Sequence, residues 1–475
     1  MNWILRRVGA AALGATLAGA ATTAYGAELN GAELGLAWAL PFVGILLSIA
    51  LFPLLSLRIW HHHYGKIAFA WAMAAVLPLA VVYGFGAASS VVGHILLLDY
   101  LPFIIFVGAL YVVAGGIYIR GNFRGTPVFN TSVLATGAVL ANFMGTTGAA
   151  MVLVRLLIRA NDDRVHQIHT IVFFIFIVAN IGGSLTPLGD PPLFLGFLKG
   201  VDFFWTLKHM VAPMALSVGI LLAIYFVLDT YLHRREERLP HPADPTPDNK
   251  RFRIEGGANV VLLVVIIAAV LMSGFWDPGI GFHFAGVQFE LQNLLRDLIF
   301  VAAAGASLLI TPKAARKGNQ FSWGPIAEVA KLFFGIFVTI VPVLAMLRAG
   351  AAGAFAPLVA LVTDAEGNAH NLTYFWLTGV LSSFLDNAPT YLAFFNLAGG
   401  DASVLMTSGA STLMAISAGS VFMGANSYIG NAPNFMVVAI AQERGVKMPS
   451  FLGYMAWSGA ILIPLFILIG TIFFR

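Results

Sequence analysis

The stretch GSLTPLGDPPLF, residues 183–194, places three prolines, two glycines and an aspartate inside a hydrophobic segment. Proline removes a backbone donor and glycine favours turns, so a helix is expected to break here. A charged side chain at the middle of a bilayer costs at least ~2.5–3.5 kcal/mol on insertion scales. The stretch therefore predicts a broken membrane helix whose carboxylate, Asp190, has a function. The structural alternative is that Asp190 only caps the helix that restarts at Pro191.

The composition of the chain indicates the environment in which this break lies. Of the 475 residues, 59% are hydrophobic and 10% are charged, and apolar runs of about twenty residues recur. These features predict an all-α polytopic membrane protein whose first partner is the lipid bilayer. The absence of cysteine excludes disulfides and thiolate metal sites. The net charge of +4 says little about partners, because basic residues of membrane proteins mostly mark cytoplasmic loops. We expect no nucleic-acid partner and no cofactor.

The hydrophobic segments divide into full spans and interrupted regions. Arg6 and Arg7 precede a short apolar stretch that ends near Gly26, so residues 1–26 are interpreted as a cleavable signal peptide, with an uncleaved extra helix as the alternative. The predicted full spans are 34–57, 64–86, 100–119, 206–231, 257–277, 294–311, 327–348 and 451–474. The interrupted regions are 128–158, 166–204, 372–398 and 405–443.

Lysine and arginine predict the orientation, because they concentrate in cytoplasmic loops. Region 128–158 has basic residues at both ends and is too long for one span, so it is expected to be a re-entrant hairpin from the cytoplasmic side. Region 372–398 begins and ends in loops poor in basic residues, which predicts a hairpin from the opposite side. A cleaved signal would leave the mature N-terminus in the periplasm of a bacterial-type inner membrane.

An internal repeat connects these regions. FMGTTG at 143–148 aligns with FLDNAP at 384–389, and GDPPLF at 189–194 aligns with GNAPNF at 430–435, with one offset of 241 residues. Each half then contains three spans, a hairpin, a broken helix and a closing span. The first repeat covers 34–231, a cytoplasmic linker covers 232–256, and the second covers 257–475. The two repeats begin on opposite sides, an inverted topology found in many secondary transporters, where substrates bind near the midplane between unwound helices.

The polar groups at the breaks are the candidate site. Asp190 and Asp386 are the carboxylates, and we expect sodium to bind at both; a proton can compete with the cation for either group. The neutral candidate ligands are Asn387, Thr390, Asn431, Ser184, Thr186, Asn142, Thr146 and Thr147. The residues expected to break the helices are Pro187, Gly189, Pro191, Pro192, Pro389, Gly430 and Pro433. The alternative for the neutral residues is hydrogen bonding between packed helices or capping of freed backbone groups.

These motifs resemble those of the ion transporter superfamily. The segments 182–205, 382–396 and 430–455 look most like the branch of NhaD/NhaE-type sodium/proton antiporters, which is related to divalent-anion symporters and arsenite exporters. The resemblance implies a secondary transporter, not an enzyme, that exchanges Na⁺ or Li⁺ for H⁺. It also implies a homodimer and an elevator-like motion of a transport domain formed by residues 128–204 and 372–445.

Two other functions remain open. A sodium-coupled carboxylate symporter or an arsenite exporter shares the layout, although the symporter branch carries Ser-Asn-Thr at its hairpin tips and this chain reads ANFMGTTG and FLDNAPT there. An intramembrane aspartyl protease also needs two buried aspartates. Its Gly-x-Gly-Asp and Tyr-Asp motifs fail, because Pro187 and Leu385 occupy the decisive positions.

Overall fold

The computed structural model describes residues 29–121, 123–236, 253–284, 287–364 and 366–475, and regular structure in these ranges is almost entirely helical. The prediction of an all-α polytopic membrane protein is confirmed. The signal-like segment 1–26 and residues 237–252 of the predicted linker lie outside the described residues.

The helices and strands follow one another along the chain with short connections. The α-helices are α1 Leu40–Leu55, α2 Leu57–Tyr83, α3 Phe85–Ile95, α4 Leu101–Ala114, α5 Pro127–Ala160, α6 Ile168–Ile177, α7 Pro191–Leu198, α8 Phe203–Glu236, α9 Ala258–Phe275, α10 Leu291–Ile310, α11 Lys313–Gly318, α12 Gly324–Thr339, α13 Val341–Arg348, α14 Ala356–Val362, α15 Asn371–Phe384, α16 Asn387–Leu397, α17 Ala402–Met406, α18 Ala410–Met423, α19 Ala432–Glu443 and α20 Phe451–Phe473. Short 3₁₀ turns cover Leu36–Ala39, Ile181–Gly183, Gly350–Ala352 and Gly424–Asn426, and a π turn covers Leu96–Tyr100. The strands are β1 Tyr118–Arg120, β2 Arg253–Glu255, β3 Gly281–Phe284 and β4 Val287–Glu290; β1 pairs with β2 and β3 with β4, both antiparallel.

Eight helices within the described ranges are long and apolar enough to cross a membrane, or nine if the bent pair α12–α13 counts as one span. That pair bends by 44° where Pro342, near the start of α13, removes a backbone donor. The predicted spans each overlap one of these helices or the bent pair. The third span starts at Phe85, earlier than predicted, because the charged residue Asp99 is buried there and pairs with Lys199 at 2.7 Å.

The polypeptide breaks at the positions rich in glycine and proline. Inside α5, Gly145 adopts φ 76° and ψ 155°, a left-handed conformation that favours glycine. Asp190 stands at the N-cap of α7 with extended backbone, and Asn431 occupies the same position before α19. Both helices carry proline in their first two positions, where no intrahelical donor is needed.

Equivalent hydrogen bonds recur at these breaks in both halves of the chain. The Thr186 hydroxyl donates to the carbonyl oxygen of Asn142 at 2.6 Å, and the Ser427 hydroxyl donates to the carbonyl oxygen of Ser383. Each residue of the second pair follows its counterpart by 241 positions. The same offset relates two further bonds, from the side chains of Asn142 and Ser383 to the carbonyl oxygens of Gly182 and Met423. The repeat in the sequence is therefore also a repeat of hydrogen bonding, whereas the sides from which the hairpins enter stay a prediction.

A buried polar cluster joins α8 to the loop before α6. The Asp229 carboxylate lies 2.7 Å from a guanidinium nitrogen of Arg164 and 2.8 Å from Nε2 of His169. Glu236 accepts from Nε of Arg164 at 2.9 Å. All four side chains are at most 3% exposed, so each charge depends on its partner rather than on water. This cluster fixes the start of α6, the helix that leads to the first break.

Candidate functional site

The carboxylate of Asp190 lies at the centre of the candidate site. Its backbone occupies the N-cap position of α7, yet its side chain makes no capping hydrogen bond. Instead, Oδ1 accepts from the hydroxyl of Thr146 at 2.9 Å and from Nδ2 of Asn431 at 3.2 Å, while Oδ2 accepts from Nδ2 of Asn387. The side chain is therefore free of the capping role that the sequence left open.

Burial and charge set the electrostatics around this carboxylate. Asp190 is 1% exposed, and Thr146, Asn387 and Asn431 are equally enclosed. All three partners are neutral donors, and Asp190 takes part in none of the ion pairs among the described residues. A carboxylate held this way is stabilised by hydrogen bonds alone, so a small cation or a proton is the complement that its charge lacks.

The three donors come from both halves of the chain. Thr146 in the first half and Asn387 in the second are related by the 241-residue offset, and the two residues contact opposite oxygens of Asp190. Asn431, the counterpart of Asp190 itself, contacts it directly. Residues that contact their own repeat equivalents lie where the two repeats meet. The site is therefore shared by the repeats and is not duplicated in each.

Asn431 presents nitrogen to Asp190 in this conformation, so its role as an oxygen ligand of a cation stays a prediction. Its Nδ2 also lies 3.2 Å from the carbonyl oxygen of Ala179 and 3.1 Å from Oδ1 of Asn180. Three acceptors surround this atom, so the amide nitrogen is the group that fits. Asn180 continues the network by donating to Oδ1 of Asn434 at 2.7 Å. Asn434 was missed in the sequence analysis, although an asparagine in the first turn of an apolar helix is a usable signal.

Asp386 has a different role from Asp190 in this conformation. It is half-buried, and its Oδ1 caps α16 by accepting from the backbone nitrogen of Ala388 at 3.1 Å. No hydrogen bond joins its carboxylate to Asp190 among the described residues. The neighbouring Asn387 is fully buried, and its Oδ1 has no hydrogen-bond partner there. The tip of the second hairpin thus places an unused amide oxygen beside the Asp190 carboxylate.

Four of the five remaining candidate ligands bind backbone groups. Asn142 and Thr186 fasten the first hairpin to the first break, as Asn142 Oδ1 accepts from the backbone nitrogen of Leu185 at 2.8 Å. Ser184 donates to the Ile181 carbonyl oxygen at 2.8 Å. Two further residues complete the set: Thr390, which donates to the Asp386 carbonyl oxygen at 3.1 Å, and Thr147, which is half-buried.

The glycines of the breaks allow close backbone contacts. A Cβ atom on Gly189 would lie 2.0 Å from the carbonyl oxygen of Gly183, and one on Gly430 would lie 2.6 Å from that of Gly424. Both contacts involve backbone, which cannot move aside cheaply. Of the other predicted helix breakers, Pro187 lies in the turn before α7, and Pro191, Pro192, Pro389 and Pro433 lie in the first turns of α7, α16 and α19.

Comparison with known proteins gives one family. A family model described as "Putative citrate transport" matches residues 31–474, which is nearly the whole chain. No curated protein matches the chain. The matched range includes both breaks and both hairpin-like segments, so the family covers every residue of the candidate site.

Proposed function

The chain belongs to this citrate-transport family and is a multi-pass membrane transporter, and from that premise we propose that it exchanges sodium or lithium ions for protons through Asp190. The observation that carries the proposal is the buried Asp190 carboxylate with three neutral partners. One such carboxylate can hold either a cation or a proton, and that competition is sufficient for antiport.

The oxygens around Asp190 support a small hard cation as the substrate. The Thr146 hydroxyl contacts Asp190, and the unpartnered Oδ1 of Asn387 lies on the amide that already contacts it. Rotation of that amide would exchange its nitrogen for oxygen beside the carboxylate. Asp386, at the preceding position, supplies the second carboxylate. Oxygen ligands of this kind suit alkali cations.

The motion that exposes the site to each side is proposed to be elevator-like, with residues 128–204 and 372–445 moving together in each subunit of a homodimer. Among the described residues, the three side chains that donate hydrogen bonds to the Asp190 carboxylate all lie in these ranges. The ion pair between Lys199 and Asp99 joins the first range to the π turn outside it and would have to break in such a motion. Cross-linking cysteines introduced at these two positions should arrest exchange if the two ranges move together relative to the rest of the chain.

The test of the exchange function uses purified protein in proteoliposomes that contain a pH-sensitive dye. Added NaCl or LiCl should release protons from the lumen, and choline chloride should not. The Asp190→Asn variant should insert normally and fail to exchange. A wild-type protein that inserts correctly and moves no protons with either cation would refute the proposal.

A second candidate is cation-coupled uptake of a citrate-like carboxylate, which the description of the matching family favours. Against it, no lysine or arginine among the described residues forms a hydrogen bond or ion pair with Asp190 or its three donors. Uptake of labelled citrate under a sodium gradient separates the two candidates. Citrate uptake that needs sodium, without proton release by sodium alone, would favour this second function.

A further inference from the structure

A cavity of about 630 Å³ opens between α2, α12 and the π turn before α4, away from the Asp190 site. Its lysines are Lys66 and Lys331, and His62 also lines it. Lys66 lies within the span His62–Tyr83, and Lys331 lies within the bent span formed by α12 and α13. Two ammonium groups therefore lie along segments that are otherwise apolar enough to cross a membrane.

Both lysines are exposed, and neither takes part in an ion pair among the described residues. The ammonium of Lys331 lies 5.1 Å from the ring centroid of Tyr64. Its stem crosses Gly65, where a Cβ atom would come within 2.9 Å of Cδ. The nearby acid, Glu328, accepts instead from the indole nitrogen of Trp60 at 3.1 Å.

The cavity also offers an apolar wall beside the charges. Phe69, which is 57% exposed, and Phe334 line it together with Tyr100. Lysines that face lipid within a membrane span are costly unless an anion accompanies them or they extend to the interface. The shape thus combines a place for one anionic group with a surface for hydrocarbon.

We propose that this pocket binds an anionic phospholipid, with the phosphate between Lys66 and Lys331 and an acyl chain along Phe69 and Phe334. The positive-inside pattern places this end of α2 at the cytoplasmic face, where anionic headgroups attract basic residues. The inference is independent of the exchange function, because none of these residues contacts the Asp190 cluster.

The test measures lipid binding to the full-length protein in detergent by native mass spectrometry, with phosphatidylglycerol and phosphatidylcholine as probes. Phosphatidylglycerol should be retained and phosphatidylcholine should not. The double variant Lys66→Gln/Lys331→Gln should bind phosphatidylglycerol roughly 30-fold more weakly, at about a fivefold loss for each lysine near an anionic headgroup. The matched control, Lys313→Gln/Lys317→Gln on α11, removes the same charge elsewhere and should bind normally.

Four results would overturn the proposal. Equal binding of both lipids, or unchanged binding by the double variant, would show that the lysines do not select a headgroup. Displacement of the lipid by millimolar inorganic phosphate would identify a soluble anion as the ligand. A changed oligomeric state with unchanged lipid binding would make the face a contact between copies. Each single-lysine variant should lose part of the affinity, which keeps the test decisive if the double variant fails to fold.

Discussion

Asp190 and Asn431 are in contact, so a substitution of Asn431 by aspartate doubles the negative charge at the interface between the repeats. Exchanging the two residues moves that charge to the equivalent position of the second repeat. In the Asn431→Asp variant, a second carboxylate replaces an amide whose nitrogen lies 3.2 Å from Oδ1 of Asp190. The two negative charges would repel each other by about 5 kcal/mol at an effective dielectric constant of ~20. The new carboxylate would also face the carbonyl oxygen of Ala179 and Oδ1 of Asn180, which both lose a donor.

We expect the single variant to unfold more readily, or to hold one proton between the two carboxylates and exchange sodium poorly at neutral pH. The charge-swap variant Asp190→Asn/Asn431→Asp restores one carboxylate at the symmetry-related position and should recover most of the lost stability. Thermal unfolding in detergent and dye-monitored exchange in proteoliposomes measure both effects. The reasoning would be refuted if Asn431→Asp matched the wild type in both assays, or if the swap were less stable than either single variant.

Three further predictions concern the break, the site and the buried cluster. Gly189→Ala places a Cβ atom 2.0 Å from a backbone oxygen and should abolish exchange, whereas Gly219→Ala, with open space around it, should be silent in the same assay. Thr146→Val removes a hydrogen bond to a charged group, worth ~1.5–3 kcal/mol, and should raise the apparent KM for sodium at least ~10-fold. The matched control Thr131→Val should leave this KM unaltered. Equal effects of the two substitutions would contradict the assignment of Thr146 to the site. Asp229→Ala removes the carboxylate that Arg164 and His169 share and leaves Arg164 with Glu236 alone, so it should lower the free energy of unfolding by ~3–5 kcal/mol, measured by denaturation in detergent. An unchanged midpoint would show that the cluster does not stabilise the fold.

The breaks could be predicted from the sequence because proline and glycine act locally. Gly189 lies in the turn before α7 and Pro191 is the first residue of that helix, and the 241-residue offset then locates the second break. The candidate carboxylate followed from the same stretch, since an aspartate in an apolar segment is itself a signal. What the pattern left open was whether Asp190 capped α7, and only the side-chain directions answered that.

The partners of these residues could not be predicted, because they are distant in sequence. Arg164 meets Asp229 and Glu236 across more than sixty positions, and no local pattern relates them. The amide nitrogen of Asn431 likewise has two acceptors, Ala179 and Asn180, in the loop after α6, about 250 residues earlier in the chain. The start of the third span was also missed, because the lysine that pairs with the buried Asp99 lies 100 residues later in the chain.

The sharing of one carboxylate by two halves has a consequence for biosynthesis. Asp190 is synthesised and inserted before the donors that complete it, because Asn387 follows 197 residues later and Asn431 follows 241 residues later. At about 5–20 residues per second, the wait for Asn387 lasts roughly 10–40 seconds. During that interval Oδ2 of Asp190 lacks its donor Asn387, so a proton, a water molecule or another helix must satisfy this oxygen. Translation of the second half therefore completes the site, and a ribosome that stalls between the repeats leaves a protein in which Asp190 lacks two of its three side-chain donors.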